Sequence, residues 1–450
     1  MEMKQENRPR ASRRSNCMKS ALVTMSKRPF VRNVAIMATG TAAAQVVTMA
    51  LSPFITRLYG PEAFGMLGVF MAVVGIVSPI AALTYPTAIV LPKSDDDAKQ
   101  LVRLSLGVSL AIALCSAILL VFFHRHIVDL FHIEEISSFL YLIPFVILFS
   151  GFLQVTEQWL IRTKQFAITA KVTFIQAIII QCSKVGIGFI HPVSAVLILL
   201  SVGGQLLKPL MMMAFLKKQQ KNAEEGINNF SNFASLKKLA SLHKDFPLFR
   251  APQVFINAVS SSLPLLMLTS FFGPAAAGFY SIGRTVLSIP SELIGKSVGD
   301  VFYPRISEAA NNGENLTSLI KKATLTLGAV GIVPYGIVVI FGPWLFGFVF
   351  GEEWVRAGEY ARWVALWVFF MFINQPSVRA LPVMSAQSFH LKYTIITLVT
   401  RFAVLAFGYY AFSDDIITIA LLAISGVVHN ILLILLTLKL SETYREANAQ

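Results

Sequence analysis

YGPEAFG at residues 59–65 and FGPAAAG at residues 272–278 are two versions of one short motif, and they organise the rest of this chain. Each motif follows a long apolar run and leads into another. The second run of each pair contains an internal proline, Pro79 or Pro290. Because Gly and Pro set the backbone geometry of turns, we expect the same turn twice. The sequence therefore predicts an internal repeat, with one copy of a multi-helix unit in each half of the chain.

The composition places the chain in a membrane. Of its 450 residues, 55% are apolar and only 14% are charged, and the mean hydropathy is +0.66. A soluble domain needs about 25% charged residues to cover its surface, so much of this surface is expected to face lipid. The net charge of +14 does not indicate nucleic acid as a partner, because a basic soluble binder would not be this apolar. A surplus of Lys and Arg is instead typical of cytoplasmic loops.

Apolar runs of about 20 residues are long enough to cross a bilayer as helices, and the chain contains twelve of them. The predicted fold class is therefore an all-α polytopic membrane protein. An even number of spans in each half gives both halves the same orientation, so the repeat is parallel, about an axis along the membrane normal. The predicted spans are 34–56, 65–90, 102–123, 137–157, 167–190, 193–216, 251–272, 276–302, 320–343, 357–375, 389–411 and 416–438.

The basic residues outside these spans or near their ends test both the number of spans and their orientation. With the N-terminus inside, the inner segments hold 29 Lys and Arg residues, whereas the outer loops hold four. Removing one span would move every later loop to the other side and abolish this asymmetry, so both termini are predicted to be cytoplasmic. The predicted parts are a basic, disordered tail (1–32), a six-helix lobe (33–216), a cytoplasmic linker (217–250), a second six-helix lobe (251–440) and a short tail (441–450).

The linker carries an amphipathic pattern in its second half. Apolar residues recur about every third position from Phe230 to Phe246, and Lys237, Lys238 and Lys244 lie between them. This pattern predicts a basic amphipathic helix on the inner leaflet of the membrane. The alternative is a solvated linker.

Ionisable side chains inside the predicted spans are the candidates for a site. Each costs about 2.5–3.5 kcal/mol at mid-bilayer, so it normally faces a cavity or a partner. Glu292, Lys296 and Asp300 are spaced i, i+4, i+8 in the eighth span, where Glu292 and Asp300 can form structural ion pairs with the lysine. Arg284 lies two turns earlier on roughly the same face. A helix with this stripe is expected to line the space between the lobes.

Two interpretations of the basic residues remain open. One is structural ion pairing, with chain ends reaching the membrane surface, as at Lys208. The other is a cationic chamber of Arg284, Arg401, Lys296 and Lys184 that binds a diphosphate, because Arg pairs bidentately with phosphate oxygens and Lys supplies a mobile point charge. Arg284 and Arg401 fit this second interpretation best, since no acid lies within one helical turn of either.

The sequence offers no catalytic residues. It contains no Walker A pattern, GxSxG or HExxH, and its predicted outer loops carry no large domain with paired acids. Its three cysteines form neither a disulfide framework nor a CxxC metal pattern. We therefore expect no enzyme activity, no metal site and no cofactor.

Three stretches carry a resemblance to a known family. Residues 52–65, SPFITRLYGPEAFG, resemble the first outer turn of bacterial polysaccharide-biosynthesis exporters. Residues 301–308, VFYPRISE, and residues 350–360, FGEEWVRAGEY, are similar to later landmarks of these proteins. The group includes O-antigen flippases and belongs to the multidrug/oligosaccharidyl-lipid/polysaccharide (MOP) superfamily. The resemblance covers the chain from about residue 33 to residue 440.

The resemblance implies a function as well as a fold. Members of the family are V-shaped, two-lobed transporters that move undecaprenyl-diphosphate-linked glycans outward across the bacterial inner membrane. The expected partners are this glycan, membrane lipids, and the polymerase and chain-length proteins of the same pathway, but not nucleic acid. The landmark residues lie at turns, so their expected role is structural and not in substrate binding.

Two other functions remain as alternatives. A multidrug or cation antiporter of the same superfamily would share the fold, but it would place acids in its lobes, whereas the first span has none and the spans are net basic. A polytopic glycosyltransferase or polymerase would need a sizeable outer loop for its substrate groove. The predicted outer loops are too short for that.

Overall fold

The computed structural model describes residues 29–131, 134–220, 233–291 and 296–449, so the predicted tail 1–32 lies almost entirely outside the described residues. These residues fold into helices, with no strand among them. The α-helices are α1 (Pro29–Val77), α2 (Asp95–Phe131), α3 (Ile143–Arg162), α4 (Phe166–Gly188), α5 (Ser194–Gln220), α6 (Phe233–Leu242), α7 (Ala251–Phe272), α8 (Pro274–Pro290), α9 (Lys296–Asn311), α10 (Leu316–Phe350), α11 (Val355–Ile373), α12 (Gln375–Ala380), α13 (Gln387–Phe412) and α14 (Asp415–Ala449).

Nine helical segments of the described residues are long and apolar enough to cross a membrane. The first, Thr39–Ile80, covers two of the predicted spans, which meet at Gly60. Helices α8 and α11 coincide with the eighth and tenth predicted spans but are not among the nine. The first of these has only 17 residues, and the second carries three charges in its first two turns. The chain is a multi-pass, all-helical membrane protein, and its twelve spans stay a prediction.

One predicted span differs from the helices that the structure contains, and another is described only in part. The second, 65–90, was expected to be one helix, but α1 ends at Val77 and short 3₁₀ turns follow at Ser78–Ile80 and Tyr85–Val90. Proline at positions 79 and 86 explains the break, since proline has no amide hydrogen to donate. The eighth, 276–302, is described as α8, which ends at Pro290, and α9, which begins at Lys296, and residues 292–295 between them lie outside the described residues.

Each half of the chain has its own hydrophobic core. The core of the first half is formed almost entirely by α1, α2, α3 and α5, and it includes the fully buried Phe70 and Ile147. The core of the second half is formed by α7, α8, α10, α11, α13 and α14, around Tyr280, Tyr335 and Phe372. Helix α4 packs against α1, α3 and α5, so the first half is a bundle in its own right.

The two copies of the repeated motif contact each other. Gly60 (φ 68°, ψ 173°) and Gly273 (φ 86°, ψ 176°) have the same backbone conformation, which is essentially restricted to glycine. One turn later the helices cross. A β-carbon on Gly65 would overlap the carbonyl of Pro274, and one on Gly278 would overlap that of Pro61. Small residues permit this close backbone approach, which joins the halves at the end that the charge distribution predicts to be outer.

The amphipathic part of the linker is helical and packs against the first half. Leu239 of α6 is buried beside Leu101 of α2. The Tyr85 hydroxyl donates to the Ala240 carbonyl (3.3 Å), and the Thr84 hydroxyl donates to that of Phe246 (3.0 Å). One face of this helix therefore contacts protein, whereas the inner-leaflet location of the other face stays a prediction.

Candidate substrate site

Arg401 lies in the middle of α13 and reaches across to α7. Its Nη1 atom donates to both the carbonyl and the hydroxyl oxygen of Ser260, at 3.1 and 3.0 Å. Its guanidinium lies 4.8 Å from the centre of the Trp367 ring on α11. Its Nε atom is buried and has no partner among the described residues. The side chain is thus fixed in position, and its buried Nε hydrogen remains unpaired in the described part of the chain.

Arg284 on α8 meets the same tryptophan. Its Nη1 atom donates to the Ser261 carbonyl (2.9 Å) and to the Tyr280 hydroxyl (3.1 Å). Its guanidinium lies 5.9 Å from the centre of the Trp367 ring. Adjacent residues of α7, Ser260 and Ser261, therefore position the two arginines from different helices of the second half.

Trp367 contacts both arginines, and we call these three residues together with Ser260 and Ser261 the arginine cluster. Its ring is 3% exposed and packs against Gly426 of α14, where the side chain of any larger residue would overlap the indole. A cation over an indole face gains about 0.5–2 kcal/mol. Trp367 therefore offsets part of the cost of holding two guanidiniums near each other inside a membrane-spanning bundle.

The cluster carries positive charge without an acidic counterpart. Neither arginine forms an ion pair with any described residue, although ion pairs do occur elsewhere in the structure. Another basic residue inside a span does have an acidic partner: Lys208 of α5 forms an ion pair with Glu157 of α3 at 2.9 Å. This contact agrees with the structural interpretation of Lys208. Free donors and unneutralised charge at mid-span are suited to an anion such as a phosphate group.

The other predicted site residues lie apart from this pair or outside the described atoms. Lys184 is in α4 of the first half, where its backbone carbonyl accepts a hydrogen bond from the Tyr59 hydroxyl (2.9 Å). Its helix packs on none of the helices that carry the arginine cluster. Glu292 lies outside the described residues, and so do the side chains of Lys296 and Asp300. The predicted ladder of ion pairs therefore stays a prediction.

A second polar cluster lies nearer the predicted inner end of the same half. The Asn374 side-chain amide donates to Asn430 Oδ1 (3.0 Å), and the Tyr393 hydroxyl donates to the His429 carbonyl (2.7 Å). Asn374 is 3% exposed, and its own Oδ1 atom has no partner among the described residues. These contacts hold α11, α13 and α14 together behind the arginines.

Two of the landmark stretches meet at the predicted outer end and connect the halves. Arg57 donates from Nη2 to the carbonyls of Phe348 (2.9 Å) and Val349 (3.3 Å), at the C-terminus of α10. A cation is favoured there by the helix dipole. Trp354 returns the contact by donating from its indole to the Thr56 carbonyl (3.2 Å). We call the contact formed by these five residues the latch: Thr56, Arg57, Phe348, Val349 and Trp354.

The comparisons with known proteins agree with this architecture. Residues 54–359, more than half of the chain, match the family described as polysaccharide biosynthesis protein. The chain belongs to this family. It is also 23% identical over 344 residues to the succinoglycan biosynthesis transport protein ExoT of Rhizobium meliloti (strain 1021). That match covers 74% of this chain and 65% of ExoT, so the chain spans somewhat less than two thirds of the relative's length.

Solved structures of two membrane proteins share the fold of this chain. The chain superposes on an inward-facing multidrug resistance MATE family transporter with a TM-score of 0.70, at 14% identity, over 89% of this chain and 96% of that one. It superposes on the lipid II flippase MurJ in an inward closed conformation with a TM-score of 0.69, at 14% identity, over 89% and 87%. The chain is thus a member of the polysaccharide biosynthesis protein family that shares its fold with these two solved structures.

Sequence reasoning identified the two arginines and missed the residues that hold them. Trp367 and Gly426 are ordinary residues of two apolar helices, so nothing in the sequence singles them out. One signal was present: α7 carries three consecutive serines at 260–262 in an otherwise apolar run.

Proposed function

We propose that this transporter moves a lipid-diphosphate-linked oligosaccharide from the cytoplasmic to the outer leaflet of the bacterial inner membrane by alternating access. The observation that carries the proposal is the arginine pair, in which Arg284 and Arg401 share Trp367 and have no acidic partner among the described residues. A diphosphate would neutralise the charge of the two guanidiniums. Polymerase and chain-length proteins of the same pathway are the proposed partners.

The membrane potential favours this direction of transport. A diphosphate diester carries about two negative charges at neutral pH, and moving one charge through the potential is worth about 2.3 kcal/mol per 100 mV. With both termini cytoplasmic and the cell interior negative, outward movement of the headgroup is downhill. No coupling ion is then required for the lipid-linked anion itself.

A multidrug antiporter would use the same fold with a different interior. An acidic residue in the cavity is what a cationic drug needs, and the described contacts of the cluster contain none. The described interior of the second half therefore supports an anionic cargo.

Deletion of the gene tests the proposal in the cell. We expect a lipid-linked saccharide to accumulate in the cytoplasmic leaflet, and its mass would identify the glycan. The purified protein in liposomes should then move a fluorescent polyprenyl-diphosphate oligosaccharide between leaflets. Absence of accumulation together with absence of transport in liposomes would contradict the proposal.

A further inference from the structure

A row of polar side chains runs along one face of α7. Gln253, Asn257 and Ser261 are spaced i, i+4, i+8, which places them one above another on a helix. All three are exposed. The opposite face carries Phe255, and Ser262 on another side donates to the Ala72 carbonyl of α1 (3.2 Å). The row therefore lies on a surface of α7 that no other described element covers.

The surroundings of the row indicate that it faces water and not lipid. The residues belong to the candidate span Phe246–Phe272, and Asn257 is near its middle. Neither amide side chain hydrogen-bonds to a described residue. An amide with no partner in hydrocarbon is costly, so exposed polar groups at this depth line a water-filled cavity.

The row leads to the arginine pair. The Ser261 carbonyl accepts the hydrogen bond from Arg284 (2.9 Å), so the guanidinium lies at the upper end of the row. With a rise of 1.5 Å per residue, Gln253 lies about 12 Å further along the helix axis, towards the predicted cytoplasmic mouth. The uncharged amides of Asn257 and Gln253 thus lie between the positively charged arginine site and the predicted cytoplasmic mouth.

From this arrangement we infer that Gln253 and Asn257 form a glycan subsite next to the diphosphate subsite. The inference rests on the proposed function. Each amide carries two donors and an acceptor, which matches sugar hydroxyls that both donate and accept. Because the amides are uncharged, they can hydrogen-bond to sugar hydroxyls while the neighbouring arginines bind the phosphate groups.

Two headgroup-labelled probes test the subsite in liposomes. One is a polyprenyl diphosphate that carries a fluorescent oligosaccharide, and the other carries the same fluorophore directly on the diphosphate. Gln253→Leu/Asn257→Leu should slow movement of the glycan probe about ten-fold, because two hydrogen bonds are lost, and should leave the sugar-free probe unchanged. Phe255→Leu, on the opposite face of α7, is the matched control and should move both probes at the wild-type rate.

The outcomes separate the two proposals. If the wild type moves neither probe, the proposed function is wrong. If the wild type moves both, and the double variant moves the glycan probe at the wild-type rate or slows both probes equally, the glycan subsite alone is wrong. Should the double variant insert poorly, Asn257→Leu by itself must still show the selective loss.

Discussion

The guanidiniums of Arg284 and Arg401 lie over one indole although both are positively charged. Charged residues within an apolar run are conspicuous in a sequence because each is costly in a membrane, and for that reason both arginines were predicted as site residues. Their support was not predictable. Ser260 holds Arg401 from another helix through a carbonyl and a hydroxyl, and only tertiary packing decides which serine does so.

Replacement of either arginine should reduce transport without unfolding the protein. Arg284→Gln or Arg401→Gln removes a charge-assisted interaction with phosphate, so we expect a rate about ten- to a hundred-fold lower. Glu at either position should be worse, because it adds a negative charge beside the anion. The measurement is flipping of the glycan probe in liposomes, with abundance in the membrane determined in parallel.

Arg362→Gln provides the matched control for these variants. This arginine is on the same helix as Trp367, is exposed, and donates to the Val339 carbonyl outside the cluster. We expect wild-type rates for it. Wild-type rates for Arg284→Glu and Arg401→Glu as well would rule out a cationic substrate site.

The apolar runs of the sequence predicted that helices form, but they did not predict where each helix ends. The predicted ladder of Glu292, Lys296 and Asp300 requires one continuous helix, because the i, i+4 relation holds only within a helix. Residues 292–295, between α8 and α9, lie outside the described residues, so this ladder stays a prediction. In the second predicted span, by contrast, α1 ends at Val77, shortly before Pro79. Proline in a membrane span is compatible with either a kink or an end, and the sequence alone does not distinguish the two.

The crossing of α1 and α8 should be sensitive to a single methyl group. Gly65→Ala places a β-carbon against the backbone carbonyl of Pro274, which cannot move like a flexible side chain. We expect a loss of about 1–3 kcal/mol in stability, seen as a lower thermal midpoint in detergent. Gly336→Ala in α10, which has open space, is the control and should be neutral or stabilising. An unchanged midpoint for Gly65→Ala would contradict the close crossing.

The latch should bias the equilibrium between transporter states. Arg57→Gln removes the charged donor at the end of α10, which weakens the contact between the halves at the predicted outer end. We therefore expect spin labels at Thr163→Cys and Gln387→Cys, at the predicted inner ends of the two halves, to shift towards shorter distances. Arg125→Gln, an exposed change at the same end, should leave the distances unaltered. The same distance distribution in Arg57→Gln as in the wild type would exclude a gating role.

At the scale of the whole molecule, the repeated motif predicted two similar halves, and the structure contains both turns in the same conformation. The contact between these two turns was not predictable, because a repeat shows that two units are alike but not how they face each other. The sequence predicted a structural role for the landmark residues of the latch, but it did not predict which residues they contact. Their partner, the 350–354 turn, is almost 300 residues away in the chain.

Orientation in the membrane is also a property of the whole molecule, and it is predicted from 29 inner and four outer basic residues. Reporter fusions after Gln450 and within residues 217–250 should be cytoplasmic. Fusions at Pro61, Asp129 and Glu353 should be external. An external reporter at Gln450 would require an odd number of spans and would contradict the parallel repeat.

The contact between α1 and α8 is reciprocal, because Gly65 packs against Pro274 and Gly278 packs against Pro61. A contact in which each side supplies the same pair of positions is isologous, the kind that two identical subunits make about a two-fold axis. A single copy of this repeated turn would therefore present a self-complementary surface. The two halves share this contact symmetrically, whereas the arginine pair lies in the second half alone among the described residues.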